Sequence, residues 1–253
     1  MQDATGCAER IRTIYGADLA ADAGVLHVVA VWSPPGASPR VIRIGAHSPR
    51  SPTDAFVLRL ARARVDAIVT TGRNLRDEPG LTHRLGGPHA EALAAWRSKV
   101  VGRNELPRSL VLTRGRDVDL DHPLFRTAHH PILFTGESAP ASLDAAAALR
   151  DIDLVRHPAP DARAAIAYLR AAHAARSISI EAGPSTALPL YDPPVAVDEL
   201  MLSTFDEPDL PEEARGAAFP GIPWLRRLLP RTSSPWACEE ASGHWTFRRL
   251  WRE

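Results

Sequence analysis

The sequence predicts one α/β domain, a three-layer αβα arrangement with a mostly parallel central sheet. Three observations lead there. Short apolar runs recur, each closed by a polar loop; amphipathic or Ala-rich stretches stand between them; and no repeat or linker-length low-complexity tract interrupts the alternation. Strands that alternate with helices imply a parallel sheet covered on both faces. A chain of 253 residues can bury a sizeable core without disulfides or a structural metal.

The elements follow in order. Val25 to Trp32 is a continuous apolar run and reads as a buried strand, broken by Ser33-Pro34-Pro35-Gly36. Thr53 to Arg64 reads as a helix capped by Thr53 or Asp54, with Phe56, Val57, Leu60 and Ala61 on one face. Asp66 to Thr71 is the next strand, followed by a loop rich in Gly and Arg, and Pro88 to Arg97 is a second helix candidate. Ser109 to Thr113 and Pro131 to Thr135 are strands, while Ser142 to Arg150 and Asp161 to Ala175 are Ala-rich helices. Ser177 to Glu181 and Asp198 to Ser203 are further strands, separated from the tail by a Pro-rich connection from Asp206 to Arg231. His244 to Leu250 alternates as an antiparallel edge strand would. Residues 1–20 are expected to add a helix or a loose arm to a single domain spanning 21–253.

Composition narrows the function. Thirty basic and thirty acidic residues cancel, so no general field favours nucleic acid or an anionic membrane. Lys99 is the only lysine and sits in no Schiff-base or P-loop motif. Cys7 and Cys238 lie near opposite ends, which argues against a disulfide framework and a cysteine zinc site. The first residues carry early acids and no apolar run, unlike a signal peptide, and no segment has the apolar length of a membrane span. A cytoplasmic location is expected.

In such sheets ligands sit outside the carboxyl ends of the strands. Three loops there could carry chemistry. In Glu181-Ala182-Gly183-Pro184-Ser185-Thr186, Gly183 permits close backbone approach and Pro184 suits a first helical position. The amides of Ser185, Thr186 and Ala187 would then face a phosphate; a plain turn capped by Ser185 is the competing account. In the stretch from Thr70 to Arg84, Asp77 could accept sugar hydroxyls and Arg84 could grip a phosphate, although a solvated charged loop explains the same residues. Thr113-Arg114 follows a third strand, and Arg114 could meet a 2′-phosphate or simply be solvated. There is no GxGxxG, Walker A, GxSxG or HExxH; His129-His130 has no second group at metal spacing, and Glu239-Glu240 reads as a solvated pair.

Taken in order, four short motifs resemble the NADPH-dependent pyrimidine reductases of riboflavin biosynthesis, whose domain has a dihydrofolate-reductase-like fold. Arg62-Ala-Arg-Val-Asp-Ala-Ile-Val69 is similar to that family's "RAxxDAI" passage. Asp77-Glu-Pro-Gly-Leu-Thr-His-Arg84 is similar to "DDPxLTxR", Glu181-Ala-Gly-Pro-Ser-Thr186 to "E(G/A)GPTL", and Val197-Asp-Glu-Leu200 to "VDEL". The resemblance runs from about Val25 to Arg252.

The resemblance implies a substrate site of Arg62, Leu81, Arg84 and Glu181. It implies an NADPH site of Asn74 and Asp77, with Thr71 and Gly72 opening the same loop, the pyrophosphate on Gly183, Pro184, Ser185, Thr186 and Ala187, and Thr113 and Arg114 toward the adenosine end. Asp77 and Glu181 would be the catalytic acids. The implied reaction reduces the ribosyl group of a ribosylaminopyrimidine phosphate by hydride transfer to C1, in a homodimer with no metal, nucleic-acid or membrane partner. Trp224, Trp236, Trp245 and Trp251 suit either such an apolar contact or the core.

There are departures. Where the family carries "SxDGK" this chain has Ser33-Pro-Pro-Gly-Ala37, so the acid position is Pro35 and the basic position Ala37. A polar and aromatic pair falls at about Ala46 and Ser48, the loop from Thr71 to Arg76 is one residue shorter, and no deaminase module with PCxxC is present. The competing reading is a catalytically impaired relative, a nucleotide-binding or dimeric scaffold, or a reductase of another small carbonyl or imine.

Overall fold

The computed structural model describes residues 4–252. An N-terminal helix, α1 (Ala4–Tyr15), precedes the first sheet strand, β1 (Val25–Trp32). A short strand β2 (Arg40–Ile42) and helix α2 (Pro52–Arg64) lead to β3 (Ala67–Thr71). Then come α3 (Gly72–Asp77), α4 (Ala90–Trp96), β4 (Arg108–Leu112), α5 (Pro123–Thr127), β5 (Ile132–Gly136), α6 (Ser142–Ala148) and β6 (Asp153–His157). The chain returns through α7 (Ala162–His173) to β7 (Ile178–Ile180), α8 (Pro184–Ala187) and β8 (Glu199–Phe205). It finishes with β9 (Arg215–Ala218), α9 (Ile222–Leu228), β10 (Arg231–Thr232), β11 (Trp236–Glu240) and β12 (Gly243–Trp251).

The main sheet runs β10-β12-β8-β1-β7-β3-β4-β5-β6. From β8 to β6 every neighbouring pair is parallel, while β12 lies antiparallel on β8. The fold class read from the alternation is therefore the observed one. The chain steps outward from β3 to β6 and then returns, inserting β7 between β1 and β3. That reversal sets the carboxyl ends of β1, β7 and β3 side by side, the place where open α/β sheets take their ligands.

Burial explains the legible strands. One face of β1 carries Leu26 and Trp32 into a core with Phe56, Val57, Leu60 and Ala61 of α2; its other face sends Val25, Val29 and Val31 into a core with Ile166 and Leu169 of α7. A strand covered on both sides needs apolar residues throughout. α1 joins the first of these cores through Cys7, Ile11, Ile14 and Tyr15.

Several local expectations are corrected. The cap of α2 is Ser51, whose Oγ accepts the Asp54 amide at 2.8 Å with Pro52 in the first turn, not Thr53 or Asp54. The expected loop after β3 is the one-turn helix α3, capped by Thr71. The tail strand is not an edge: β10 and β11 both pair with its outer side. The Pro-rich connection holds β9 and α9, and β2, β6, β10 and β11 were not expected. Of the tryptophans, Trp245 is in the core and Trp224, Trp236 and Trp251 are half-buried. Among the described residues no helix is long and apolar enough to cross a membrane.

Candidate active site

The site is organised by one buried ion pair. Glu181 follows β7 and its amide donates to Val69 of β3 at 2.9 Å, which continues the ladder and aims its carboxylate toward α2. Arg62 of α2 meets it with two edges: Nε donates to Oε1 at 2.9 Å and Nη2 to Oε2 at 2.7 Å. Arg62 Nη1 donates to the Thr82 carbonyl at 2.9 Å, which ties down the loop after α3. Burial pulls the Arg62 pKa down, but the charge and hydrogen bonds of Glu181 outweigh it and the net direction is up. Arg62 is thus fully engaged in holding Glu181 and Thr82.

Asn74 completes the frame. Its amide Nδ2 donates to the Glu181 carbonyl at 2.8 Å and to Thr70 Oγ1 at 3.2 Å, while its backbone N–H donates to Thr71 Oγ1 at 3.2 Å. One side chain therefore links the ends of β3 and β7. Gly72, first in α3, packs against the end of β4: a Cβ there would stand 3.0 Å from Thr113 Oγ1. Thr113 in turn accepts the Gly115 amide at 3.2 Å.

The loop after Glu181 starts as expected, with Gly183 before the first turn of α8 and Pro184 opening it; Ser185 is not the cap. The amides of Thr186 and Ala187 are turned to the Gly183 carbonyl, at 2.9 and 3.1 Å, rather than outward. A Cβ on Gly183 would enter open space. The open space at Gly183 gives a phosphate-bearing dinucleotide access to the backbone of this turn, while the inward Thr186 and Ala187 amides leave it fewer donors than the sequence led one to expect. Arg163, absent from the sequence-based site, fastens the far side of this loop: Nη2 donates to the Pro189 and Asp192 carbonyls at 2.7 Å each.

Other candidates lie outside this frame. Asp77 is exposed, and its ion pair among the described residues is with exposed Arg73 at 3.4 Å. Arg84, Arg114 and Ser185 are exposed, and Leu81 packs partly on the apolar cluster of Leu75 and Leu124. Pro35 and Ala37 are exposed on a turn in which the Ala37 amide donates to the Pro34 carbonyl at 3.2 Å. The residue that sequence reasoning left without a role is Glu78: half-buried, close enough to feel Arg62, Glu181 and Asp77, and raised above the ordinary glutamate value chiefly by burial. Its only sequence signal was its place in the Asp77-to-Arg84 motif. Among the described residues no three His, Cys, Asp or Glu side chains group as metal ligands.

No family model matches the chain, and no curated protein matches its sequence. Solved structures do match its fold. A pyrimidine reductase-like protein from Corynebacterium diphtheriae is 20% identical with a TM-score of 0.64, over 96% of this chain and 98% of that one. RibD from Acinetobacter baumannii is 12% identical with a TM-score of 0.60, over 92% of this chain. This chain spans 59% of the length of that RibD. The riboflavin biosynthesis reductase Rib7 from Saccharomyces cerevisiae is 16% identical with a TM-score of 0.52, covering 90% of each chain. The chain thus has the dihydrofolate-reductase-like fold of these reductases.

Proposed function

We propose that this chain is an NADPH-dependent reductase of the riboflavin pyrimidine reductase type, acting as a soluble cytoplasmic homodimer. The observation that carries the reading is the frame of Arg62, Glu181 and Asn74 at the joined ends of β3 and β7, next to the open Gly183 loop. The fold shared with pyrimidine reductases supports it.

In this reading Thr71, Gly72, Asn74 and the stretch from Gly183 to Ala187 hold the dinucleotide, with Thr113 and Arg114 toward its adenosine end. Bound NADPH would supply hydride. Asn74 fixes the Glu181 backbone, and Arg62 fixes its carboxylate, so an acceptor for sugar hydroxyls is presented without reorganisation. Exposed Arg84 supplies a mobile cation for the substrate phosphate. The test is cofactor binding followed by NADPH oxidation with the ribosylaminopyrimidine phosphate. Binding and substrate-dependent oxidation support the reading; failure to bind NADPH overturns it.

A second reading rests on one feature. Pro35 and Ala37 sit where the family brings an acid and a base, and neither side chain can accept or donate a proton. On this reading the chain binds NADPH but turns over the riboflavin intermediate slowly or not at all, serving another carbonyl or imine or acting as a scaffold. Raised turnover in the Pro35→Asp/Ala37→Lys variant would favour it, whereas rapid turnover by the parent would exclude it.

A further inference from the structure

We propose that the cavity beneath the Pro-rich connection binds a short-chain carboxylate that bears a hydroxyl or ammonium group beside its acid. The proposal does not rest on the reductase reading.

Residues paired across neighbouring strands share one face of a sheet. Val31 of β1 is paired with Thr204 of β8, Thr204 with Thr246 of β12, and Leu202 with Arg248. These residues therefore lie on the face that carries Val29, Leu200 and Leu250 into the core. Toward the carboxyl end of β8 that face turns polar. Ser33, Thr204, Asp206, Thr246 and Arg248 line one cavity of about 210 Å³. Its cover is Phe219, Pro220 and Ile222 of the Pro-rich connection. Phe219 is itself a core residue, and its amide donates to the Pro39 carbonyl at 2.8 Å, which fastens the cover to the segment after β1.

The lining offers two kinds of recognition. Thr246 Oγ1 donates to Asp206 Oδ2 at 2.6 Å, which spends the hydroxyl proton and leaves Asp206 able to accept a further donor. Arg248 is half-buried, and among the described residues its guanidinium makes no hydrogen bond or ion pair. The arginines that follow it are engaged: Arg249 donates to Glu199 at 2.9 Å and Arg252 pairs with Asp198. A guanidinium partly withdrawn from water gains most from a carboxylate, which accepts two of its N–H groups at once. Asp206 in the same cavity favours a hydroxyl or ammonium on the ligand and opposes a dianion such as phosphate. At about 30 Å³ per water the cavity has the volume of about seven waters, which suits a three-carbon acid.

Calorimetric titration of the full chain with propionate, lactate, alanine and inorganic phosphate tests this. Lactate or alanine should bind with a dissociation constant on the order of 1 mM, about tenfold more tightly than propionate, which lacks the second group. Tighter lactate makes that group a hydroxyl and tighter alanine makes it an ammonium; either supports the site. Asp206→Ala should bring the preferred acid close to the propionate level, and Arg248→Gln should weaken it by about tenfold or more. If the glutamine variant does not fold, Arg248→Lys keeps the stem and the charge but loses the paired donors, and should still weaken the acid about threefold or more. Four results would each overturn the proposal: no acid bound at about ten times that concentration, lactate and alanine no tighter than propionate, phosphate tighter than the acids, or affinities unmoved in the Asp206 and Arg248 variants.

Discussion

Two arginines two residues apart on α2 each hold a buried glutamate, in different surroundings. Side chains at that spacing diverge by roughly 200° around a helix, so Arg62 and Arg64 face different surroundings. Arg64 is 1% exposed; both of its Nη groups bind Glu199, its Nε donates to the Leu19 carbonyl at 2.9 Å, and Arg249 of β12 adds a second cation to the same carboxylate at 2.9 Å. Arg64 and Glu199 are sealed from solvent there, and only Arg249 reaches the surface. Arg62 and Glu181 make an equally saturated pair, but it borders the Gly183 loop and Asn74. Charge and burial do not tell a structural pair from the one proposed to be functional. What lies beside the pair does.

The comparison breaks most forcefully at the closed pair. Glu199→Ala strands buried Arg64 and half-buried Arg249 and should cost about 3–5 kcal/mol in denaturant unfolding, with NADPH affinity of the folded protein unchanged. A loss of affinity without a loss of stability would show that the two pairs are coupled.

Acid sharpens the contrast. Burial lowers His27 to about 4, and burial, Arg62 and His122 hold His83 well below its ordinary value. A histidine depressed in the fold must stay neutral there, so its contribution is present above the unfolded value near 6.5 and is lost as the pH falls. For His27 the loss should be about 3 kcal/mol by pH 4. Burial opposes ionisation of Glu199, but Arg64 and Arg249 outweigh it and hold it below the ordinary value. Its contribution is present above the unfolded value near 4.3 and fails only below that. Melting temperatures across this range should therefore fall first between pH 6.5 and 4, and a flat profile there would contradict the neutral histidines.

At the open pair, Glu181→Gln keeps the outline and removes the charge. It should cost about 2 kcal/mol of stability and about 10²-fold in turnover, measured by denaturation and steady-state kinetics on one preparation. Stability loss with normal turnover would make this pair structural too. The smallest effect belongs to Gly183→Val. Its Cβ meets nothing within 4 Å, so the fold should be untouched, while NADPH affinity should fall about tenfold, or about 1.4 kcal/mol.

These differences explain what could be read from the residues alone. β1 was legible because VLHVVAVW is buried on both faces, and α2 because its apolar face recurs at helical spacing. β2, β9, β10 and β11 were not, since RVI, RGAA, RT and WACEE carry little apolar pattern and exist by pairing at the sheet margins. Arg62 and Glu181 could be picked out by motif, but their contact spans 119 residues and needs the topology. That Asp77 is exposed while Glu78 is half-buried depends on the end of α3 and on the His122 hydrogen bond to the Glu78 carbonyl from a different loop, neither of which adjacent acids reveal.

The central claim is that this site moves hydride from a nicotinamide to a sugar-derived carbonyl or imine. NADPH deuterated at C4, incubated with the ribosylaminopyrimidine phosphate and protein in excess of both, tests it even if the Pro35 turn makes the step slow. The account predicts one deuterium at C1 of the reduced ribityl product by mass spectrometry, diminished in Glu181→Gln. Deuterium retained wholly in the cofactor after prolonged incubation, with NADPH bound, would contradict it.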